Sequence, residues 1–384
     1  MSVVAAGATR EDARDRLVAR VGALIDRLAD GRRDETARDA LLADVFAWQR
    51  EHVAVVARIA SGASQAAGRA TTVCGAAVPT DVFRFARVAA HAPECDVRVF
   101  RTSGTTSGAR GAHHLRDLAL YARAAHAAAR YALFPDIVRM RMVVLAPTEA
   151  DAPDSSLSYM LARFVEWFGT PESRVAWRAG QLDVDALVTA LDDAERTRVP
   201  VALLGTSLAF AHAEEALGTR RFRLAAGSRL MHTGGFKGRA REVAPDALVA
   251  QLAARHGIDA TCIVQEYGMT ELSSQGYELT LREAVRPSRV HAASNARAGV
   301  ARVFWVPGWV RATVVDPETL APLPAGAMGI LRIDDLANVD TACAVQTSDL
   351  ARATDAGFAL LGRAPGATPR GCSLAVDAVR SATT

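Results

Sequence analysis

A helical spacing of apolar residues dominates the first sixty positions of the chain. Apolar side chains recur at intervals of three and four residues, as at Leu17, Val21, Leu24, Ile25 and Leu28. That interval places them on one face of a helix, where they can be buried together. The pattern therefore predicts helices across residues 9–60, followed by a loop of small and polar residues at 61–72.

Short apolar runs alternate with helical patterns through the middle of the chain. The runs expected to form buried strands lie at residues 142–146, 199–204, 228–232 and 261–264. Helices are expected between them, at 157–168, 210–217 and 245–256, the last with a proline in its first turn, where it is tolerated. Strands that alternate with helices favour an α/β architecture with mostly parallel sheets.

The pattern changes after about residue 302. Strand-like runs at 309–315, 329–333 and 358–361 are separated by proline and glycine, which favour tight turns. The sequence predicts a small antiparallel β unit at about 302–363. A hinge with two prolines and one glycine follows, and it leads into a short tail.

Composition narrows the class of protein. The chain has 384 residues, half of them hydrophobic, which is ample for a large core and suggests two or so domains. Its 45 basic and 42 acidic residues are interleaved, so charge offers no argument for nucleic acid. No apolar run reaches the roughly 20 residues of a membrane span, and the first twenty residues do not resemble a signal peptide. We expect a cytoplasmic protein without a membrane span, and leave open whether it forms a homo-oligomer.

Two amino-acid types are used in an informative way. The five cysteines lie far apart without a C-x-x-C pair, which argues against disulfides and zinc sites. Lys237 is the only lysine in a chain that otherwise uses arginine. Either a GC-rich genome explains the bias, or position 237 requires a compact ammonium group on a flexible stem.

The richest candidate site is the stretch R-T-S-G-T-T-S-G-A-R-G-A-H-H at residues 101–114. It follows a short predicted strand at 96–100 and precedes an apolar helical pattern at 115–129. Backbone N–H groups and hydroxyls in such a strand–loop–helix unit can surround a phosphate. No Gly-Lys-Ser/Thr closes the pattern, so it is not a Walker A loop. An ordinary turn rich in glycine, serine and threonine is the alternative. The residues expected to bind phosphate are Thr102, Ser103, Gly104, Thr105, Thr106, Ser107 and Arg110.

A second candidate site is Q-E-Y-G-M-T-E at residues 265–271, placed just after a predicted strand. Ligands of α/β proteins usually bind at that end of a strand. Tyr267, with Gly268, is suited to stack on a base, and Thr270 to contact a phosphate. Glu271 is suited to hold Mg²⁺, a hard cation that takes oxygen ligands. A surface turn with an incidental acid is the alternative.

Two further stretches offer nucleotide contacts. Gly234 and Gly235 follow a predicted strand and would let a flat ring approach the backbone closely. Asp349 could bind a ribose diol, and Arg363 ends the β unit.

Four motifs of the chain resemble motifs of the adenylate-forming superfamily, and they occur in the same order. That superfamily contains acyl-CoA synthetases, peptide-synthetase adenylation domains and luciferases. The stretch 102–110 resembles its phosphate loop T-S-G-T-T-G-x-P-K, and 267–271 resembles its Y-G-x-T-E. Residues 347–349 resemble its T-G-D, and 362–363 the opening of its hinge motif. The resemblance implies the fold of that superfamily's N-terminal domain, with two mostly parallel sheets and helices, and it implies ATP and Mg²⁺ as cofactors.

A narrower resemblance covers roughly residues 75–376. Stretches at 79–83, 98–104, 153–158, 232–237 and 370–374 are similar to the acyl-protein synthetases of bacterial luminescence, the LuxE family. Those enzymes activate a fatty acid as acyl-AMP and hold it as a thioester on a cysteine. A partner of the acyl-CoA-reductase type then reduces it. The resemblance implies that Cys372 is the acyl-accepting nucleophile and that the substrate is a carboxylic acid, long-chain by this likeness.

The chain departs from the wider superfamily at its end. Only about twenty residues follow Arg363, where typical members carry a C-terminal domain with a catalytic lysine. The resemblance thus implies an acyl-activating domain at 1–363 and a hinge and tail at 364–384 that carries Cys372. Another cation must then assist adenylation, and Lys237 and His232 are the candidates.

Two other functions stay open at this stage. One is an adenylating ligase that passes the acyl group to coenzyme A, a carrier protein or an amine, as phenylacetate–CoA ligases do. The other is a subunit that binds nucleotide or acyl chain without turnover and supports a reductase.

Overall fold

The chain forms two compact units in a computed structural model that describes residues 2–65, 77–103, 109–234, 245–287 and 302–364. The first unit contains the described residues of 1–127, 269–275 and 301–384. The second contains those of 128–268 and 276–300. The chain therefore passes from the second unit to the first between Gly268 and Met269, inside one of the predicted motifs.

The helices follow the predicted apolar spacing closely. They are α1 (Ser2–Leu28), α2 (Glu35–His52), α3 (Ala54–Gln65), α4 (Ala119–Ala132), α5 (Ser156–Phe168), α6 (Val184–Thr197), α7 (Ser207–Leu217), α8 (Pro245–His256) and α9 (Thr280–Val285). Short 3₁₀ helices lie at Thr80–Arg84, Pro93–Cys95 and Ala260–Cys262. Side-chain oxygens of Asp34, Ser155, Asp183 and Thr206 cap α2, α5, α6 and α7 by accepting a first-turn N–H. No helix within the described ranges is long and apolar enough to cross a membrane.

The strands are short in the first two-thirds of the chain and longer after residue 302. They are β1 (Val78–Pro79), β2 (Arg98–Arg101), β3 (Ala112–Leu115), β4 (Arg141–Leu145), β5 (Arg174–Val175), β6 (Trp177–Arg178), β7 (Gln181–Leu182), β8 (Val201–Thr206), β9 (Arg229–Thr233), β10 (Ile263–Tyr267), β11 (Gly276–Glu278), β12 (Val303–Trp305), β13 (Val310–Val315), β14 (Met328–Asp335), β15 (Ala344–Thr354) and β16 (Gly357–Arg363).

The second unit is built on a mostly parallel sheet with strand order β11-β10-β9-β8-β4-β5. Strands β10, β9, β8, β4 and β5 pair in parallel, and β11 is antiparallel to β10. Helices α6, α7 and α8 pack against it around a core that includes Val143, Leu203, Phe210, Leu230 and Ile263. The predicted α/β class is confirmed, because near-continuous apolar strands require helices to cover them.

The first unit carries a mixed sheet rather than a second mostly parallel one. Strands β13, β14, β15, β16 and β12 pair in that order, all antiparallel, and β1 joins β15 in parallel. A two-residue turn connects β15 to β16, and such turns join antiparallel neighbours. The N-terminal helices belong to this unit. Gln49 of α2 donates to the main-chain oxygens of Asn338 and Val339 and accepts from the N–H of Cys343.

Strand β3 lies where the sequence predicted the start of a helix. The helix expected from residue 115 begins only at Ala119, because residues 112–115 form β3 and pair with β2. The register places His113 opposite Phe100. Strand pairing depends on a partner elsewhere in the chain, so the local helical pattern did not indicate it.

Candidate functional site

The base of the predicted phosphate loop is closed by two hydrogen bonds between its ends. The N–H of Thr102 donates to the main-chain oxygen of Gly111 at 2.9 Å, and the N–H of Gly111 donates to Thr102 Oγ1 at 2.9 Å. Arg110 is exposed, and its Nε donates to the main-chain oxygen of Thr102 at 2.6 Å. Ser103 is exposed as well. The remaining predicted loop residues, Gly104, Thr105, Thr106 and Ser107, lie outside the described residues.

The base of this loop lies against the Thr-Glu end of the second motif, within the first unit. A side chain at Gly111 would begin 3.6 Å from Glu271 Oε1 and 3.1 Å from Thr102 Cγ2, so glycine permits the close approach. His113, two residues further on, places Nδ1 2.8 Å from the main-chain oxygen of Thr270. Two motifs that are 157 residues apart along the chain, measured from His113 to Thr270, therefore meet.

His113 is the residue that joins them, and the sequence did not single it out. Its ring is fully buried, and Nε2 lies 3.1 Å from Thr341 Oγ1. A carbonyl oxygen only accepts, so Nδ1 carries the hydrogen and Nε2 accepts from the Thr341 hydroxyl. Burial lowers the pKa of His113 to about 4, so the ring is neutral at pH 7 and keeps this donor and acceptor arrangement.

The segment that follows Thr270 is held by two more buried polar side chains. Asn338 Nδ2 donates to the main-chain oxygen of Glu271 at 2.9 Å. Asp335 accepts the N–H groups of Ser273 and Ser274 at 3.0 and 2.8 Å, and the Ser274 hydroxyl at 2.7 Å. Burial raises the pKa of Asp335, although these bonds oppose the shift. The only sequence signal was the acidic pair D-D at the end of a strand that is mostly apolar apart from Arg332.

Glu271 is buried, and its carboxylate lies beside the base of the loop. No group of three or more histidine, cysteine, aspartate or glutamate side chains is placed to hold a metal ion among the residues that the structure describes. Mg²⁺ is commonly held by one or two carboxylates together with substrate phosphates and water. A single carboxylate next to a phosphate loop fits that kind of site, and it does not fit an all-protein cage.

In the second unit, the predicted base-stacking residue lies inside a strand rather than in the loop after it. Tyr267 is the last residue of β10 and is buried. Glu266 and Tyr267 pair with residues of β11. This pairing extends β10 beyond residue 264, where the sequence analysis expected the strand to end. Gly268, where the strand has ended, begins the turn.

Glu266 is a buried carboxyl group that the sequence did not flag. Thr233 Oγ1, at the end of the neighbouring strand β9, donates to Glu266 Oε2. A side chain at Gly268 would overlap Glu266 Oε1, so the carboxyl group fills the space under this glycine. Burial raises the pKa of Glu266 to about 7, and the bond from Thr233 offsets part of that effect.

The predicted catalytic histidine is buried against the first turn of α7. His232 Nδ1 lies 2.9 Å from Ser207 Oγ, and Ser207 Oγ lies 2.7 Å from the main-chain oxygen of Gly234. A serine hydroxyl has one hydrogen, and here Ser207 donates it to the main-chain oxygen of Gly234. Ser207 Oγ therefore accepts from His232, whose Nδ1 carries the hydrogen. Gly234 is exposed with φ of +72°, in the region that favours glycine. Gly235 and Lys237 lie outside the described residues.

The predicted ribose-binding acid faces the predicted hinge arginine across two strands of the first unit. Asp349 of β15 pairs in register with Arg363 of β16, and Arg363 Nε lies 3.4 Å from Asp349 Oδ1. The N–H of Asp349 donates to Thr347 Oγ1 at 3.1 Å, and Thr347 Oγ1 donates to the main-chain oxygen of Leu331 at 2.7 Å. The T-S-D segment of β15 is thus held in part by its own threonine. Cys372 lies outside the described residues.

No known protein-family model matches the chain, and no curated protein matches it. Solved structures do resemble it. The 2-hydroxyisobutyryl-CoA ligase in the postadenylation state with 2-HIB-AMP has a TM-score of 0.60 at 14% identity, over 86% of this chain and 67% of that chain. Its open conformation in complex with 2-HIB-AMP and CoA has a TM-score of 0.58 at 14% identity, over 86% of this chain and 75% of that chain.

ATP-bound MatB from Rhodopseudomonas palustris matches over 69% of this chain with a TM-score of 0.47 at 17% identity. The chain spans about half the length of MatB, with 47% of that chain covered. At these identities the likeness to the 2-hydroxyisobutyryl-CoA ligase concerns the fold. The chain shares the α/β fold of that ligase, and an α/β fold is what the sequence predicted.

Proposed function

We propose that this protein activates a carboxylic acid with ATP and Mg²⁺, forming an acyl-adenylate and pyrophosphate. The observation that supports it most is the approach of the loop base at Thr102 and Gly111 to the Thr270–Glu271 pair. A loop rich in N–H and hydroxyl groups next to a carboxylate that can hold Mg²⁺ suits a bound triphosphate. The fold shared with a ligase that binds an acyl-adenylate is consistent with this chemistry.

In the first step, a carboxylate oxygen of the acid attacks the α-phosphorus of ATP. The bond from that phosphorus to the bridging oxygen breaks, and pyrophosphate leaves. Thr102, Ser103 and the loop that follows would hold the departing phosphates, Asp349 would bind the ribose, and Glu271 would hold Mg²⁺, which would neutralise phosphate charge. The protein's contribution is placement of the two reactants and neutralisation of phosphate charge.

In the second step, the Cys372 thiolate attacks the acyl carbonyl, AMP leaves and a thioester forms. This part rests on the resemblance to acyl-protein synthetases, which also favours a long-chain fatty acid and a reductase-type protein as the recipient. Lys237 supplies the cation that assists adenylation, with His232 as the second candidate.

Acid-dependent exchange of labelled pyrophosphate into ATP tests the first step. Wild-type protein should catalyse the exchange with one or more members of a series of acids of increasing chain length. Glu271→Gln should lose it by roughly a hundredfold or more, since the metal ligand is removed. Glu318→Gln, an exposed acid of the same unit, should retain it. Absence of exchange with every acid would show that the proposed activity is wrong.

A labelled acid tests the second step separately. Wild-type protein should acquire a label that hydroxylamine releases, and Cys372→Ala should lose the label while pyrophosphate exchange continues. Cys95→Ala, which removes an exposed cysteine, is the matched control. A label that persists in Cys372→Ala would leave adenylation standing and exclude this cysteine. Transfer to coenzyme A, a carrier protein or an amine would then be the function.

A further inference from the structure

The β2–β3 pair has two different faces. Phe100 and His113 lie opposite each other and are fully buried, on the face that reaches Thr270. The next pair along, Arg101 and Ala112, projects to the opposite face because successive side chains of a strand alternate. Arg101 is exposed there. The outer face therefore lies on the side away from the Thr270–Glu271 segment.

A groove of about 490 Å³ runs along this outer face, between the β2–β3 pair and the 3₁₀ helix at Thr80–Arg84. That volume falls in the range of small-molecule sites. The residues that line it are Phe83, Arg84, Phe85, Ala86, Arg87, Arg101, Ala109, Arg110, Ala112 and His114.

The groove has an unbalanced charge. Four arginines and a histidine line it, and none of its described lining residues is an aspartate or glutamate. The whole chain, in contrast, has nearly equal numbers of basic and acidic residues. Several guanidinium groups around one concave surface produce a positive potential that attracts anions.

Arg87 and Asp96 fix the floor of the groove. Arg87 donates to both carboxylate oxygens of Asp96, at 2.6 and 2.8 Å, and Asp96 also contacts His114 at 2.9 Å and His91 at 2.9 Å. Burial alone would raise the pKa of Asp96, yet these bonds hold it well below its ordinary value. The Arg87 charge is therefore neutralised, and it supports the site rather than recognising a ligand.

The rim carries the charge that remains available. Arg84 Nε donates to the main-chain oxygen of Ala109 at 3.0 Å, and its guanidinium stays 3.9 Å from Asp81. The guanidinium of Arg101 has no partner among the residues with described positions. Phe85 adds an apolar wall, with 41% of its surface exposed. Exposed arginine and phenylalanine together suit a ligand that has an anionic group and a flat ring.

We propose that this groove, lined by Arg84, Phe85 and Arg101, is a second binding site, for a small molecule that carries a phosphate group and a planar ring. Arg101 binds the phosphate, Arg84 adds charge, and Phe85 packs against the ring. The site lies on the face of β2–β3 opposite His113. Its lining shares Arg110 with the predicted phosphate loop, whereas Arg84, Phe85 and Arg101 have no part in the proposed adenylation.

Phenyl phosphate is the probe, because it has both features and is not a substrate of the proposed reaction. Titration of the intact protein, followed by calorimetry, should show saturable binding of phenyl phosphate, weaker binding of inorganic phosphate and none of phenol. Arg101→Ala should raise the Kd roughly tenfold, through loss of a charge-assisted hydrogen bond. Phe85→Ala should raise it roughly threefold, through loss of ring packing.

Two controls make the outcome decisive. Arg16→Ala removes one positive charge at an exposed position of α1 and should leave the Kd unchanged. Glu271→Gln should also leave it unchanged, since the groove lies on the other face. The proposal fails if phenyl phosphate does not saturate at millimolar concentration, if Arg16→Ala weakens binding as much as Arg101→Ala, or if Glu271→Gln alone alters it.

Discussion

His113 Nδ1 donates to the main-chain oxygen of Thr270 at 2.8 Å. This bond ties the strand that leaves the predicted phosphate loop to the residue that precedes Glu271. Because the His113 ring is fully buried and neutral at pH 7, its Nδ1–H is shielded from water and the bond is not altered by protonation at that pH. It sets the position of the Thr-Glu pair relative to the base of the loop.

Two substitutions of His113 should separate its two contacts. Asparagine can place an amide N–H near the position of Nδ1 and keep the bond to Thr270, whereas glutamine reaches the position of Nε2 near Thr341. Both variants should lose about 1–3 kcal/mol in the free energy of unfolding, because each leaves a buried polar group unpaired. Pyrophosphate exchange should fall roughly tenfold further in His113→Gln than in His113→Asn, since the first misplaces Glu271.

Urea unfolding and exchange rates measure the two effects on the same samples. Equal exchange in the two variants would show that the Thr270 bond does not position the site. A difference in unfolding free energy alone would indicate a purely structural role.

Glu266 should give the protein a stability that falls as pH rises. Its pKa is raised from an ordinary 4.5 to about 7 in the folded protein, so the folded state binds more protons than the unfolded state between those values. The stabilisation is fully present below pH 4.5 and is lost as pH rises through 7. Glu266→Gln should remove this slope and gain about 3 kcal/mol relative to the wild type between pH 4.5 and 8.

Unfolding free energies of the two proteins across that pH range measure the difference. Taking the difference is necessary, because His113 and His256, whose pKa values are lowered to about 4 by burial, give slopes of the opposite sign. Glu215→Gln, at an exposed position of α7, should parallel the wild type at every pH. A Glu266→Gln curve parallel to the wild type would contradict the assigned pKa.

Gly268→Ala should displace the turn after β10. The added carbon would overlap Glu266 Oε1, and the buried carboxyl group has little room to move. We expect a loss of about 1–3 kcal/mol in unfolding free energy. In the Glu266→Ala background the same change should cost less than half as much, because the obstructing oxygens are gone. Additive losses in a double-mutant cycle would show that the two residues do not compete for this space.

Asp136 should contribute strongly to the stability of the second unit. It accepts from the buried guanidinium of Arg229 at 2.8 and 3.0 Å, and Arg229 also donates to the main-chain oxygen of Leu133. Asp136→Asn leaves a buried positive charge without its partner and should cost about 2–4 kcal/mol. The matched change Asp192→Asn, at an exposed ion pair with Arg220, should cost less than about 1 kcal/mol.

Thermal and urea unfolding of the two variants measure these costs. Replacing both partners, as Asp136→Asn with Arg229→Met, should recover part of the loss, since no buried charge remains. Similar costs for Asp136→Asn and Asp192→Asn would mean that burial does not strengthen the Arg229 pair.

Much of the architecture could be predicted from local patterns. Helices such as Ser156–Phe168 and Pro245–His256 lie within a residue of their expected bounds, because apolar spacing reflects which face a helix must bury. The predicted end of β10 was wrong by three residues, and the sequence did not predict β3. Both features are defined by pairing with another strand. The spacing of apolar residues within one segment does not specify which strand it pairs with or in which register.

The sequence by itself determined the α/β class, the order of the motifs, and the identity of Thr102, Tyr267, Glu271 and Asp349 as site candidates. Only the tertiary structure decided which polar groups satisfy one another. His113, Asp335 and Asn338 hold the segment around Glu271 from distant positions in the chain. Buried polar atoms must find hydrogen-bond partners, and the partner is set by how the chain packs rather than by its neighbours in sequence.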